Sequence, residues 1–266
     1  MLEMNFAGGK KALVLAPPGQ VEFLGNGQGG GVTSFEWTVP EGVYSVSIVA
    51  IGAGERPGFT GTARGGKGAC LRYVNDIPVE PGDVLFGEVG NSQDLMSSTT
   101  SNWASSSGNS SWIKRRTNNE TLVMAPGGNI STSFAVGTGG DGSAGLTSTN
   151  SAREGAAGAG AAGYVGSGSA SSATPPSDPT AGTGGAVTIS NPNSAYRYST
   201  GQRGGGSYLT GDHPEGAALG AGGGITVATL TSNGSLFGRS ASPGLRGGLR
   251  IMWGEGRRYP NNARNV

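Results

Sequence analysis

From residue 127 to about residue 245 the chain consists largely of Gly, Ala, Ser and Thr, and no other feature limits its fold so strongly. Side chains this small bury little apolar area, so the stretch cannot supply an ordinary core. Over the whole chain 53 of 266 residues are Gly, against a usual share of about 7%. A flexible linker would account for the composition. However, Tyr164, Ile189, Tyr208, Ile225 and Val227 punctuate the tract, and a linker has no use for them. Collagen needs Gly at every third position without interruption. Here that period is only local: Gly139, Gly142, Gly145; Gly160, Gly163, Gly166; Gly201, Gly204. The reading that fits is a bundle of short extended helices of the polyproline-II (polyglycine-II) type. These have no internal backbone hydrogen bonds and must bond one another.

The rest of the chain reads as β-structure. Phe35, Trp37 and Val39 alternate with Ser34, Glu36 and Thr38, the period of a half-buried strand. Pro40-Glu41-Gly42 turns the chain, and Tyr44, Val46, Ile48 and Ala50 make a second alternating face opposite Ser45 and Ser47. Cys70–Val74, Val84–Phe86 and Leu122–Met124 are further strands; Leu249, Ile251 and Trp253 mark a last one, alternating with Arg250 and Met252. No segment holds a helical period. The predicted fold is therefore mainly β: an antiparallel sandwich or barrel-like domain, then the glycine-rich bundle with loops, then a closing strand.

This divides the chain into an N-terminal arm at 1–31, serving as a strand pair or as an anchor on a neighbour, and a β domain at 32–126. Within the latter, 91–119 is a Ser/Asn-rich insertion; 127–245 is the loop-presenting tract and 246–266 the final strand and tail.

A net charge of +1 gives no general attraction to nucleic acid or an anionic membrane. Cys70 is the one cysteine, so no internal disulfide forms, in keeping with assembly in a reducing compartment. The start, Met1-Leu2-Glu3-Met4, does not read as a signal peptide. The longest apolar-leaning run, Val43–Ala53, is too short to span a bilayer, so no membrane insertion is expected.

Two motifs carry a resemblance. Phe35-Glu36-Trp37-Thr38-Val39-Pro40-Glu41-Gly42-Val43 is similar to the "F-T-V-P-x-G-V" opening of glycine-rich bacteriophage tail-fibre and virion proteins. The end, Arg250-Ile251-Met252-Trp253-Gly254-Glu255-Gly256-Arg257-Arg258-Tyr259-Pro260, resembles their "R-I-I-W-G-x-G-R-x-F/Y-P" terminus. The resemblance covers about residues 32–90 and 246–260, and the tract between matches in composition only. It implies a structural virion component, a tail fibre or fibre tip that contacts the host surface through loops, or alternatively a head fibre or capsid decoration. Expected partners are other virion proteins through the N-terminal arm, further copies in a homotrimer, and a host glycan or outer-membrane protein.

Little in the chain points to catalysis. His213, the single histidine, lies in Gly211-Asp212-His213-Pro214-Glu215 and reads as a solvated turn residue rather than a metal ligand or a triad base. The acids are scattered, so a glycan-degrading enzyme, which needs two carboxylates across a cleft, is a remote alternative. Neither cofactor nor metal is expected. Lys114-Arg115-Arg116 is a short basic run beside Trp112, read as a solvated loop. The binding candidates are aromatics in polar loops, Trp103, Trp112, Tyr196, Tyr198 and Tyr208, which offer apolar area at low entropy cost.

Overall fold

The computed structural model describes residues 15–26, 31–59, 63–91, 108–144, 158–170, 207–210, 218–222, 225–227, 239–241 and 244–266. Alternating apolar residues between Gly/Pro turns give the strands β1 (Gly19–Leu24), β2 (Val32–Thr38), β3 (Ser45–Ile51), β4 (Gly58–Phe59) and β5 (Ala63–Arg64). There follow β6 (Leu71–Pro78), β7 (Val84–Gly90), β8 (Ser111–Arg115), β9 (Thr121–Ala125), β10 (Ile225–Val227), β11 (Arg239–Ala241) and β12 (Gly248–Trp253). Two four-stranded antiparallel sheets, ordered β1-β12-β3-β6 and β2-β7-β8-β9, make the body, and β4-β5 and β10-β11 are small hairpins. The protein is thus mainly β, as the alternation requires.

The sheets face each other across a core that includes Val46, Ile48, Leu85, Val89, Ile113, Val123, Leu249 and Ile251. Rings join the two sheets at their rims. Phe23 stacks on Phe35 with centroids 3.9 Å apart, and Trp37 on Trp253 at 5.6 Å. On the opposite side, Tyr73 of β6 bridges to Thr138 and Met124 of β9 to Val136, so residues 136–138 cover both sheet edges there.

The segment read as an arm is, from Gly19 to Leu24, an edge strand paired with β12. Val21 and Phe23 pack against the core. The insertion expected at 91–119 is shorter at its end, since β8 lies inside it and hydrogen-bonds to β7 and β9.

A second correction concerns β3. An exposed polar face was expected at Ser47, but every residue from Val46 to Ile51 is buried. The other side of this sheet is covered as well. Val49, Ile51, Leu71 and Met252 meet Ala162, Tyr164, Leu209 and Leu219 of the glycine-rich tract, and Tyr259 and Ala263 of the tail. This third layer also buries Arg250, which alternates with the core residues of β12.

The bundle expected for 127–245 is not found as an element. Among the described residues the only helix is a 3-10 turn at Thr132–Phe134. The described pieces of the tract are short extended segments, and they bond to the continuations of the sandwich strands as well as to one another. Gly54 N donates to Leu245 O, Gly68 N to Ser143 O, Ala69 N to Gly220 O, Ala162 N to Ala69 O and Gly222 N to Ala159 O. Glycine is required for this approach. A Cβ on Gly54 would fall on the Ala221 carbonyl, and one on Gly68 on the Gly160 carbonyl. The glycine layer therefore grows out of one end of the sandwich, where β3, β7 and β9 finish and β6, β8 and β12 begin.

Candidate functional site

The outer face of the β2-β7-β8-β9 sheet carries an aromatic ledge with a charged rim. Period-two alternation turns Phe35, Leu85 and Ile113 into the core, so their neighbours Ser34, Glu36, Phe86, Glu88, Trp112 and Lys114 point outward. Pairing aligns them in two rows. Ser34 is opposite Glu88 and Glu88 opposite Trp112; Glu36 is opposite Phe86 and Phe86 opposite Lys114. Arg116, just past β8, is held by its N–H donating to the Val84 carbonyl at 2.9 Å.

The rings are fixed in orientation. Phe86 and Trp112 meet edge-to-face, centroids 5.8 Å apart and planes at 89°. Trp112 Nε1 donates to Glu88 Oε2 at 3.2 Å. The Lys114 ammonium lies 5.2 Å from the Trp112 ring, and the Arg116 guanidinium 4.8 Å from Phe86. Arg116 also pairs with Glu36. Ser34, Phe35, Glu36, Phe86, Gly87, Glu88, Trp112 and Arg116 enclose a shallow depression of about 350 Å³. Its lining carries two carboxylates and one cation, and Lys114, beside it over the Trp112 ring, brings the ledge as a whole to balance.

Of the two expected binding aromatics among the described residues, Trp112 falls on this ledge, and it stands on a strand rather than in a loop. Tyr208 is corrected: it is buried, 7% exposed, and its carbonyl accepts from the Tyr164 hydroxyl at 2.9 Å. Its neighbour Leu209 and the bridged Leu219 join the apolar cluster on the outer side of the β1-β12-β3-β6 sheet. Trp103, Tyr196, Tyr198 and His213 lie outside the described residues. The run Lys114-Arg115-Arg116 does not act as one patch. Arg115 turns away to pair with Asp83 and to donate to Pro78 O at 2.7 Å, while Lys114 and Arg116 cap rings. Phe86, Glu36 and Glu88 were missed as site residues. Their signal was the strand alternation, which sends them to the same face as Trp112.

The C-terminal motif is occupied by the protein's own fold. Arg250 Nη1 donates to the Ala263 carbonyl at 2.6 Å; its Nη2 donates to Arg264 O at 3.2 Å and to Asn265 Oδ1 at 3.0 Å. Ser47 Oγ donates to the Arg257 carbonyl at 3.1 Å. Burial and the neighbouring Arg250 charge hold the Arg257 guanidinium below its usual pKa. Asp76, by hydrogen bond and charge, raises that of Arg258. Burial also raises the Tyr259 phenol.

No group of three or more metal-ligating side chains occurs among the described residues. Their acids are in many cases engaged, Glu22 with Arg250, Glu55 with Arg64, Asp141 with Arg72 and Asp76 with Arg258. No helix there is long and apolar enough to cross a membrane. Compared with protein-family models and with curated proteins, the chain has no match.

Proposed function

We propose that this chain is a structural, non-catalytic component of a bacteriophage particle, a tail fibre or fibre tip whose polar segments meet the host surface. The observation that carries the reading is the way the glycine layer anchors the ends of those segments. Asn91 and Gly108, which flank residues 92–107, bond through their N–H groups to Gly31 O and Gly128 O. Ser143 N, near the start of residues 145–157, donates to Gly160 O just beyond them. Ser207 N and Leu219 N each donate to the other's carbonyl, so the two sides of residues 211–217 are held together. A scaffold of this kind holds variable polar segments by backbone bonds that do not depend on their sequence.

The molecule is also two-ended. Short turns lie away from the glycine layer, at Pro40–Val43 and Pro78–Asp83, and Ala16 N donates there to Gly42 O. In the proposal this end faces the particle and the glycine-rich end faces outward. The finer reading of the layer as extended segments of polyproline-II type is supported by the direction of its donors. Successive N–H groups of Gly52, Ala53 and Gly54 go to Cys70, Asn109 and Leu245, three different segments, as a three-residue period requires.

A head fibre or decoration protein is the second reading, favoured by the compact body. Labelling intact particles with antibody against the folded protein separates them. Label at tail tips supports the proposal, label on heads supports the second reading, and unlabelled particles contradict both.

A further inference from the structure

We propose that the ledge over Phe86 and Trp112 is a binding site for a neutral pyranose sugar of a cell-surface glycan. This deepens the reading above and rests on it, but places a contact on the sheet rather than in the polar segments. Sugars present an apolar C–H face and a rim of hydroxyls, and the ledge has the matching halves. Trp112 gives an aromatic face, and Phe86, set perpendicular to it, an apolar wall. Ser34, Glu36, Glu88 and Arg116 surround them with a hydroxyl, two acceptor carboxylates and a guanidinium donor. At about 350 Å³ the depression is at the lower end of ligand sites, which run from about 300 to 1,000 Å³.

Charge decides the ligand class. Glu36 and Glu88 line the depression with Arg116 as its one cation, and Lys114 stands beside it over the Trp112 ring, so a phosphate or carboxylate ligand meets at least as much repulsion as attraction. Nucleic acid binding needs uncompensated cations, and none is left over here. The aromatic face is also preorganised. The Trp112 indole is fixed at its N–H by Glu88 and by its perpendicular contact with Phe86, so binding a ring costs little ordering of the aromatic side chains. The Lys114 ammonium, 5.2 Å from the indole, sits on a long flexible stem that can swing aside or donate to a hydroxyl.

The test is saturation-transfer NMR and tryptophan fluorescence titration of the full chain with glucose, galactose, mannose and N-acetylglucosamine. At least one should bind saturably. Trp112→Ala should weaken that binding by about tenfold or more, the effect of losing a stacked ring. Because Trp112 is half-buried, Ser34→Arg is the control for folding. Ser34 is exposed, and an arginine there projects over the ledge and should block the sugar while leaving the melting temperature unchanged. Failure of all four sugars to bind, or undiminished binding in S34R, overturns the inference. Particle labelling reads the wider proposal independently. Labelled particles with no sugar binding overturn only the ledge; sugar binding by a protein absent from particles overturns the virion reading.

Discussion

Tyr164 of the glycine-rich tract stacks on Tyr259 of the C-terminal motif, with ring centroids 5.7 Å apart and planes inclined by 13°. Tyr73 of β6 leans on both, at 5.6 and 6.2 Å. Three parts of the chain far apart in sequence thus share one aromatic cluster on the outer side of a sheet. The tract is bound to the body there by side chains as well as by backbone bonds.

The two stacked tyrosines differ in their hydroxyls, and that yields a prediction. Tyr164 donates to Tyr208 O at 2.9 Å, whereas the buried Tyr259 hydroxyl has no hydrogen-bond partner among the described residues. Tyr164→Phe should cost about 1 kcal/mol of stability, and Tyr259→Phe should be neutral or slightly stabilising. Tyr259→Ala, which empties the stack, should cost about 3–5 kcal/mol. Urea denaturation of the three variants checks the order.

Glycines divide in the same way. Gly54→Ala and Gly68→Ala would drive a methyl into the carbonyls of Ala221 and Gly160, so each should cost about 1–3 kcal/mol or more. Around Gly166 a Cβ would meet nothing within 4 Å. Gly166→Ala should be neutral or gain about 0.4–1 kcal/mol through the unfolded chain. Thermal melts of the three proteins distinguish a close-packed glycine layer from a loose one.

Alkaline pH should loosen the protein. Burial raises the folded-state pKa of both the Cys70 thiol and the Tyr259 phenol. Above about pH 9 for Cys and pH 10 for Tyr the unfolded chain releases protons that the folded chain retains. Stability is therefore fully present below those values and falls as pH rises past them, by up to about 1.4 kcal/mol per pH unit per group. Denaturation midpoints at pH 8 and pH 10.5 read the effect. In the native protein at pH 8, Cys70 should react with a thiol reagent only as fast as the protein opens.

The strand pattern made much of the body legible. Phe35 and Trp37 point inward as their alternation required, and Leu249 and Ile251 fall in the core. The second covered face was not legible, because the residues that cover it, Ala162, Tyr164, Leu209 and Leu219, are scattered through a tract of low hydrophobicity. The burial of Arg250 was not legible either, because a charged side chain is rarely buried. It is buried here because carbonyls of the tail converge on its guanidinium. The ledge was half legible. Trp112 drew notice as an aromatic in polar sequence, but its partners Phe86 and Glu88 come from another strand, and register between strands is not written in either one alone.

The glycine layer is an ordered scaffold in this fold, and amide hydrogen exchange tests this most directly. The N–H groups of Gly54, Gly68, Gly160 and Gly222 all donate to carbonyls of other segments. They should exchange as slowly as those of β3 and β12 in the native protein, with protection lost only on global unfolding. Exchange of these glycines at the rate of an unstructured chain, while the sandwich strands stay protected, would contradict the account.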